Sequence, residues 1–220
     1  MKPARLVLVG GFLGAGKTTL LSQVARRLVR QGKRVGLITN DQAPDLVDTG
    51  MLRQAGLSVE EIAGGCFCCR FSDLITASNR LVDEINADVL IGEPVGSCTD
   101  ISATVLQPLK ELFPDRFHLA PFSVLVDPFR FAEVLDPRMK SSLHPSARYI
   151  LRKQIEEADI VVINKIDLLP AEELAELLAQ ARERFPDVRQ SGLSALTGEG
   201  VREWLDLILR DGPAGSRITD

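Results

Sequence analysis

Histidine is almost missing from this chain: His118 and His144 are the two among 220 residues, and they lie far apart. Neither is read as a metal ligand, so a histidine-built centre is not expected. No apolar run approaches the roughly 20 residues that a membrane-spanning helix needs; the longest are strand-sized. The N-terminus carries no signal-peptide pattern. A cytoplasmic protein is therefore expected, in a compartment where thiols stay reduced and available for metal or redox chemistry. No sign of charge dominates either. Lys and Arg number 26 against 30 Asp and Glu, a net charge of −4, which predicts neither a nucleic-acid nor a membrane partner. Arg26, Arg27, Arg30, Lys33 and Arg34 form a local basic run, read as the solvated end of a helix and the turn after it. Internal repeats and low-complexity tracts are absent.

The length suits one α/β domain with a full core. Apolar runs alternate with helical patterns, the mark of a mostly parallel sheet covered on both faces. Residues 5–9, 34–39, 88–91, 122–126 and 159–163 read as buried strands, with 58–62 and 188–191 as weaker ones. Residues 17–30, 71–85, 101–112, 147–157, 171–184 and 200–209 read as helices. Trp204, Leu205, Ile208 and Leu209 form a core-facing stripe. Residues 127–145, with Pro128, Pro137 and Pro145, read as a mobile loop. The expected organisation is one domain over 1–210 and a fraying, polar tail over 211–220.

Chemistry enters at Gly11-Phe-Leu-Gly-Ala-Gly-Lys-Thr18. This is the phosphate-loop pattern, placed after a strand and before a helix, where the motif belongs. Gly11, Gly14 and Gly16 let the backbone, Ala15 included, wrap close to phosphate oxygens. The helix N-terminus, through Thr18 and Thr19, faces the anion. Lys17 offsets β/γ charge, and the Thr18 hydroxyl suits Mg²⁺.

Asn164-Lys-Ile-Asp167 follows the strand at 159–163. The Asp167 carboxylate accepts from the guanine N1–H and amine, a donor pair that adenine lacks. The Lys165 stem suits the base face. Ser194, Ala195 and Leu196 stand where a second base-contacting loop is expected. GTP and GDP are therefore the expected ligands. This reader argues against a small-molecule kinase using the same phosphate loop.

Two acidic strand ends complete the nucleotide reading. Asp41, after Asn40, suits Mg²⁺ or water near the γ-phosphate, with helix capping by Asp41 or Asp45 as the rival role. Glu93, in Ile91-Gly-Glu-Pro-Val-Gly96, suits Mg²⁺ or the attacking water. The Gly96 amide suits the γ-phosphate and its loss. Lys17, Asp41 and Glu93 are the catalytic candidates.

Cys66, Cys68 and Cys69 crowd a glycine-led turn. Three thiols at this spacing suit a soft cation, with Zn²⁺ or Co²⁺ foremost. A redox pair or inert small core residues are the rivals. A fourth ligand could come from Cys98, Glu60, Glu61 or a thiol of a second subunit.

The segments 10–20, 65–69 and 164–167, in that order, resemble the CobW-like GTPases, relatives of the nickel-insertion GTPases HypB and UreG. The resemblance spans roughly residues 5–209. It implies a three-layer P-loop fold of the signal-recognition/MinD class, Mg²⁺ near Thr18, Asp41 and Glu93, and a transition metal on Cys66, Cys68 and Cys69. It implies GTP-dependent metal delivery or cofactor assembly on a client metalloenzyme, with nucleotide- or metal-dependent homodimers common among relatives. The chain departs from the family in three ways. It is too short for the usual second C-terminal domain. It has no histidine-rich stretch. It also reads Gly92-Glu-Pro-Val-Gly-Ser-Cys98 where Glu-Thr/Ser-x-Gly is usual, which points to a specialised subgroup. The competing class is a metal store or scaffold whose nucleotide is structural.

Overall fold

The computed structural model describes residues 2–40, 57–136, 138 and 143–210. The expectations for Asp41 and Asp45 and for the tail over 211–220 lie outside the described residues.

Among the described residues eight strands form one sheet: β1 Ala4–Gly11, β2 Val35–Asn40, β3 Ser58–Ile62, β4 Val89–Glu93, β5 Phe117–Leu119, β6 Ser123–Val126, β7 Ile160–Ile163 and β8 Arg189–Gly192. The order is β3-β2-β4-β1-β6-β7-β8, and every pairing is parallel. β5 and β6 share one edge of β1. Ala4–Leu6 pairs with Phe117–Leu119, and Val9–Gly11 pairs with Ser123–Leu125. A three-residue strand is too short to show a period, which is why β5 is not visible in the sequence.

The helices are α1 Lys17–Arg30, α2 Phe71–Ile85, α3 Gln107–Leu112, α4 Pro128–Leu135, α5 Pro145–Glu157, α6 Ala171–Arg184 and α7 Val201–Leu209. Alternation along β1 divides the core into two layers. Val7 and Val9 face α1 and α7, where Leu20, Val24, Leu28, Trp204 and Ile208 pack. Leu6 and Leu8 face the opposite layer, packed by Leu74 and Leu81 of α2, Leu109 of α3, Phe131 of α4, Ile155 of α5 and Ala181 of α6. Trp204 is buried whole, and its indole N–H donates to Ser123 Oγ at 3.0 Å. Among the described residues no helix is long and apolar enough to cross a membrane.

Two readings need correction. Residues 127–145 are not simply a loop, because α4 occupies Pro128–Leu135. Pro128 suits a first helical turn, where its missing N–H costs nothing. The Asp127 carboxylate caps the helix by accepting from the Phe129 and Arg130 amides. Phe131, Val134 and Leu135 then bury at helical spacing. Nor is 101–112 a plain α-helix. Ser102–Leu106 forms a π-helical turn, with the Gln107 amide donating to the Ser102 carbonyl. Pro108 has no N–H for the Thr104 carbonyl, and the chain takes the wider turn just before it.

β1 is the switch point of the sheet. Its neighbours continue in opposite directions, through β4 and through β6. Ligand sites of open parallel sheets form in the crevice beyond the strand ends at such a point. The phosphate loop leaves β1 there.

Candidate functional site

The phosphate loop joins β1 to α1, and its glycines are required by their surroundings. Gly11 has φ +131°, and a Cβ there would stand 2.3 Å from the Leu125 carbonyl oxygen. Gly16 has φ +94°, and its Cβ would stand 2.3 Å from Asn164 Nδ2. Lys17 Nζ donates to the Gly11 carbonyl at 2.8 Å and lies 3.9 Å from Glu93 Oε1. The Thr18 hydroxyl donates to the Glu93 carboxylate, 3.1 Å from Oε1 and 3.2 Å from Oε2. Burial pushes the Glu93 carboxyl above its usual range, while Lys17 and the Thr18 hydroxyl oppose that shift. Burial also pulls the Lys17 ammonium below its usual range, opposed chiefly by the negative charge of Glu93.

These groups line a cleft of about 370 Å³ that also includes Thr19, Asn40 and Gly96. A Cβ on Gly96 would lie 3.2 Å from the Leu13 amide nitrogen and 3.4 Å from Lys17 Nζ. The loop after β4 therefore closes against the tip of the phosphate loop. Backbone amides, one ammonium, and a hydroxyl beside a carboxylate form a donor set that fits a triphosphate with Mg²⁺.

The residues expected to contact the base follow β7. Asn164 is 2% exposed, and both ends of its amide are committed. Nδ2 donates to the Ala15 carbonyl, and Oδ1 accepts from the Ala195 amide, each at 2.8 Å. Asn164 thus cross-links the phosphate loop to the Ser194–Leu196 segment. Lys165 takes a left-handed backbone, φ +62°. Its Nζ reaches Asp127 Oδ2 at 2.7 Å, an ion pair that the sequence reading missed. An Asp-Pro step ending a strand was the available signal. Asp167 sits in the short turn Ile166–Leu168 and is exposed, so its carboxylate is accessible to a ligand. Ser194 is buried, its hydroxyl accepting from the Thr197 amide, whereas Leu196 is exposed.

The cysteine turn follows β3. Asn40, the last residue of β2, donates through Nδ2 to the Gly65 carbonyl at 2.6 Å and the Ile62 carbonyl at 3.4 Å. Phe67 is buried whole and anchors the turn in the core. The thiols of Cys66, Cys68 and Cys69 then lie within 4.8 Å of one another, and Cys66 Sγ is 2.7 Å from Cys68 Sγ. Tetrahedral zinc, with Zn–S near ~2.3 Å, spaces its sulfurs by about 3.8 Å, so small rotations would suffice.

Burial raises the Cys66 thiol, but hydrogen bonds from Cys68, Cys69 and Cys98 outweigh it and bring the group down to about 7. Cys68 is pushed up to about 11, first by burial and then by its neighbours. Cys98 falls outside the mutual 4.8 Å set. Its thiol still interacts with Cys66 and Cys68, and with burial these contacts drive it upward. Glu60 faces Arg80 at 3.6 Å instead. His118 is exposed on β5, and His144 accepts from the Ser146 amide at the start of α5.

The sequence matches the family described as "CobW/HypB/UreG, nucleotide-binding domain" over residues 5–191. The chain belongs to that family. It is 28% identical over 193 residues to a protein named zinc chaperone YjiA from Escherichia coli (strain K12), covering 84% of this chain and 57% of that protein. Zinc chaperone CobW from Sinorhizobium sp is 30% identical, covering 74% of this chain and 51% of that one. This chain thus spans little more than half the length of these two relatives. Among solved structures, HypB from Helicobacter pylori in complex with nickel superposes with a TM-score of 0.63 at 21% identity, covering 94% of this chain and 86% of that one. The likeness supports the three-layer P-loop NTPase fold.

Proposed function

We propose that this protein binds GTP with Mg²⁺ in the cleft, hydrolyses it, and uses the nucleotide state to control a transition-metal site at Cys66, Cys68, Cys69 and Cys98. One observation carries the reading. The segment that begins at Glu93, beside Thr18 and Lys17, ends five residues later at Cys98, beside Cys66 and Cys68.

The phosphate-loop amides and Lys17 hold the β- and γ-phosphates, while Thr19 extends that cradle along α1. Thr18 and Glu93, with Asp41, supply oxygen donors for the cation. Mg²⁺ there would offset charge on the phosphates. Asp167 accepts from the guanine edge, the Lys165 stem lies along the base, and Ser194–Leu196 closes the pocket. Glu93 orients the attacking water, and Gly96 follows the γ-phosphate. The expected intrinsic rate is slow, because no Gln or Arg is read as a finger. The cargo is zinc or cobalt, and the recipient is a client metalloenzyme or a cofactor-assembly protein. A nucleotide- or metal-dependent homodimer fits the exposed Leu13, Phe129, Leu168 and Leu196, each in a segment that follows a strand of the sheet. A cytoplasmic setting would keep the thiols reduced.

The test is titration of the reduced protein with Zn²⁺ and with Co²⁺, under Mg²⁺ with GTP, with GDP and without nucleotide, using Cys66→Ser as control. Cysteine-dependent binding that changes about tenfold between nucleotide states, about 1.4 kcal/mol of coupling, is the expected result. Binding indifferent to nucleotide would leave a metal store or scaffold with a structural nucleotide.

A further inference from the structure

The loop between β4 and the π-helical turn is fastened to one element, α5, at alternate residues. Gln154 Nε2 donates to the Gly96 carbonyl at 3.1 Å and to the Cys98 carbonyl at 2.8 Å. The Glu157 carboxylate accepts from the Asp100 amide at 2.6 Å. The Ser102 hydroxyl donates to the Glu157 carbonyl at 3.2 Å. Residues 96, 98, 100 and 102 are thus held by the last turn of a single helix.

Gln154 is the unusual member. It is 3% exposed, and its Oε1 is buried without a partner. The amide orientation is settled chemically, because only the nitrogen end can donate to two carbonyls. A buried acceptor without a partner carries a cost. That cost persists here beside a loop whose two ends serve different ligands. A planar amide joins its two targets rigidly. If Gly96 is displaced and the 3.1 Å bond holds, the amide moves with it and the shift reaches the Cys98 carbonyl.

We infer that Gln154 is a positioning residue that makes the γ-phosphate sensor at Gly96 and the thiol at Cys98 respond as one unit. The inference rests on the proposed nucleotide control of metal binding, and it names the side chain that transmits the control. Gln154 touches neither ligand, so its removal should uncouple the two sites without abolishing either.

The experiment uses Gln154→Met, which keeps the length and packing of the side chain while removing both the donor and the orphaned acceptor. Zinc affinity is measured by chelator competition with a non-hydrolysable GTP analogue, with GDP and without nucleotide. GDP affinity and thermal unfolding are measured alongside. In the unsubstituted protein, zinc affinity should differ about tenfold or more between the GTP-analogue and GDP states. In the variant the difference should fall below about threefold, with cysteine-dependent zinc binding retained and GDP affinity within about threefold.

A variant that keeps the full tenfold difference would make Gln154 a packing residue and overturn the inference. If the unsubstituted protein shows no nucleotide dependence, the proposed function fails and the inference fails with it, so the two failures are separable. Gln154→Asn keeps an amide too short to reach both carbonyls and should uncouple the sites in the same way. If both variants lose folded signal before zinc can be measured, the side chain is structural and the inference is wrong.

Discussion

The two halves of the site meet at β1 and are built differently. On the β6–β7 side Asn164 and Lys165 are fully paired, although Gln23 of α1, beside Gly198, leaves its Oε1 without a partner. Asn164 uses both ends of its amide on Ala15 and Ala195, and Lys165 is paired with Asp127. On the β2–β4 side two buried amides, Asn40 and Gln154, each leave an oxygen without a partner. There too the chain enters a π-helical turn, whereas left-handed backbone occurs in both halves, at Asp100 and at Lys165. The first half resembles a prebuilt socket. The second carries unpaired acceptors and irregular backbone, features that concentrate where a segment has two arrangements. A switch needs both, a rigid part to hold the nucleotide and a part whose alternatives differ little in energy.

The largest expected effect tests the joint between the halves. Lys17 faces Glu93 at 3.9 Å. Lys17→Ala should reduce single-turnover GTP hydrolysis by about 100-fold or more, read as phosphate release at saturating GTP. Hydrolysis within about threefold of the parent would mean that this loop is not the catalytic one.

The next tests the socket. Asn164→Ala strands the Ala15 carbonyl and the Ala195 amide. It should cost about 2–4 kcal/mol in denaturant unfolding and weaken GDP binding, while zinc affinity without nucleotide stays near its parent value. A loss under about 0.5 kcal/mol would show that water or a small shift replaces both bonds, and the contrast between the halves would weaken.

The smallest concerns the cysteine half. In metal-free protein the Cys66 thiol sits near 7 and Cys68 near 11. The reactive thiolate is favoured as pH rises through the group's own value. Alkylation of Cys66, mapped by mass spectrometry, should therefore have its midpoint near 7 and fall about tenfold per pH unit below that. Cys68 should stay slow at pH 8. Equal rates with a shared midpoint near the ordinary value of about 8.5 would dissolve the proposed asymmetry of the turn.

Legibility in the sequence follows the range of each interaction. The phosphate loop, the Asn164–Asp167 turn and the cysteine turn are local arrangements, written in consecutive residues. The strands of the parallel sheet are apolar runs, and the amphipathic helices have a period. α4 was written too, as Asp127-Pro128 followed by Phe131, Val134 and Leu135, but its prolines pointed toward a loop. The π-helical turn needed Pro108 to be weighed against a single missing hydrogen bond. β5 had too few residues to carry a pattern. Gln154 had no signal whatever, since nothing near it in the sequence tells a buried glutamine from a solvated one.

The sequence by itself determined the chemistry available: a phosphate-loop motif, a carboxylate suited to a guanine edge, and thiols suited to a soft metal. Each follows from side-chain type and short-range spacing, which survive whatever the rest of the chain does. Tertiary structure alone decided how these pieces are joined. Strand order brings Asn164 across to Ala15, the β4 loop carries Glu93 to Thr18 and Cys98 to Cys66, and α5 places Gln154 beneath Gly96. These contacts span 32 to 149 residues of sequence. They arise because packing the two apolar layers on one sheet leaves a single arrangement of its ends, and no local pattern encodes that arrangement.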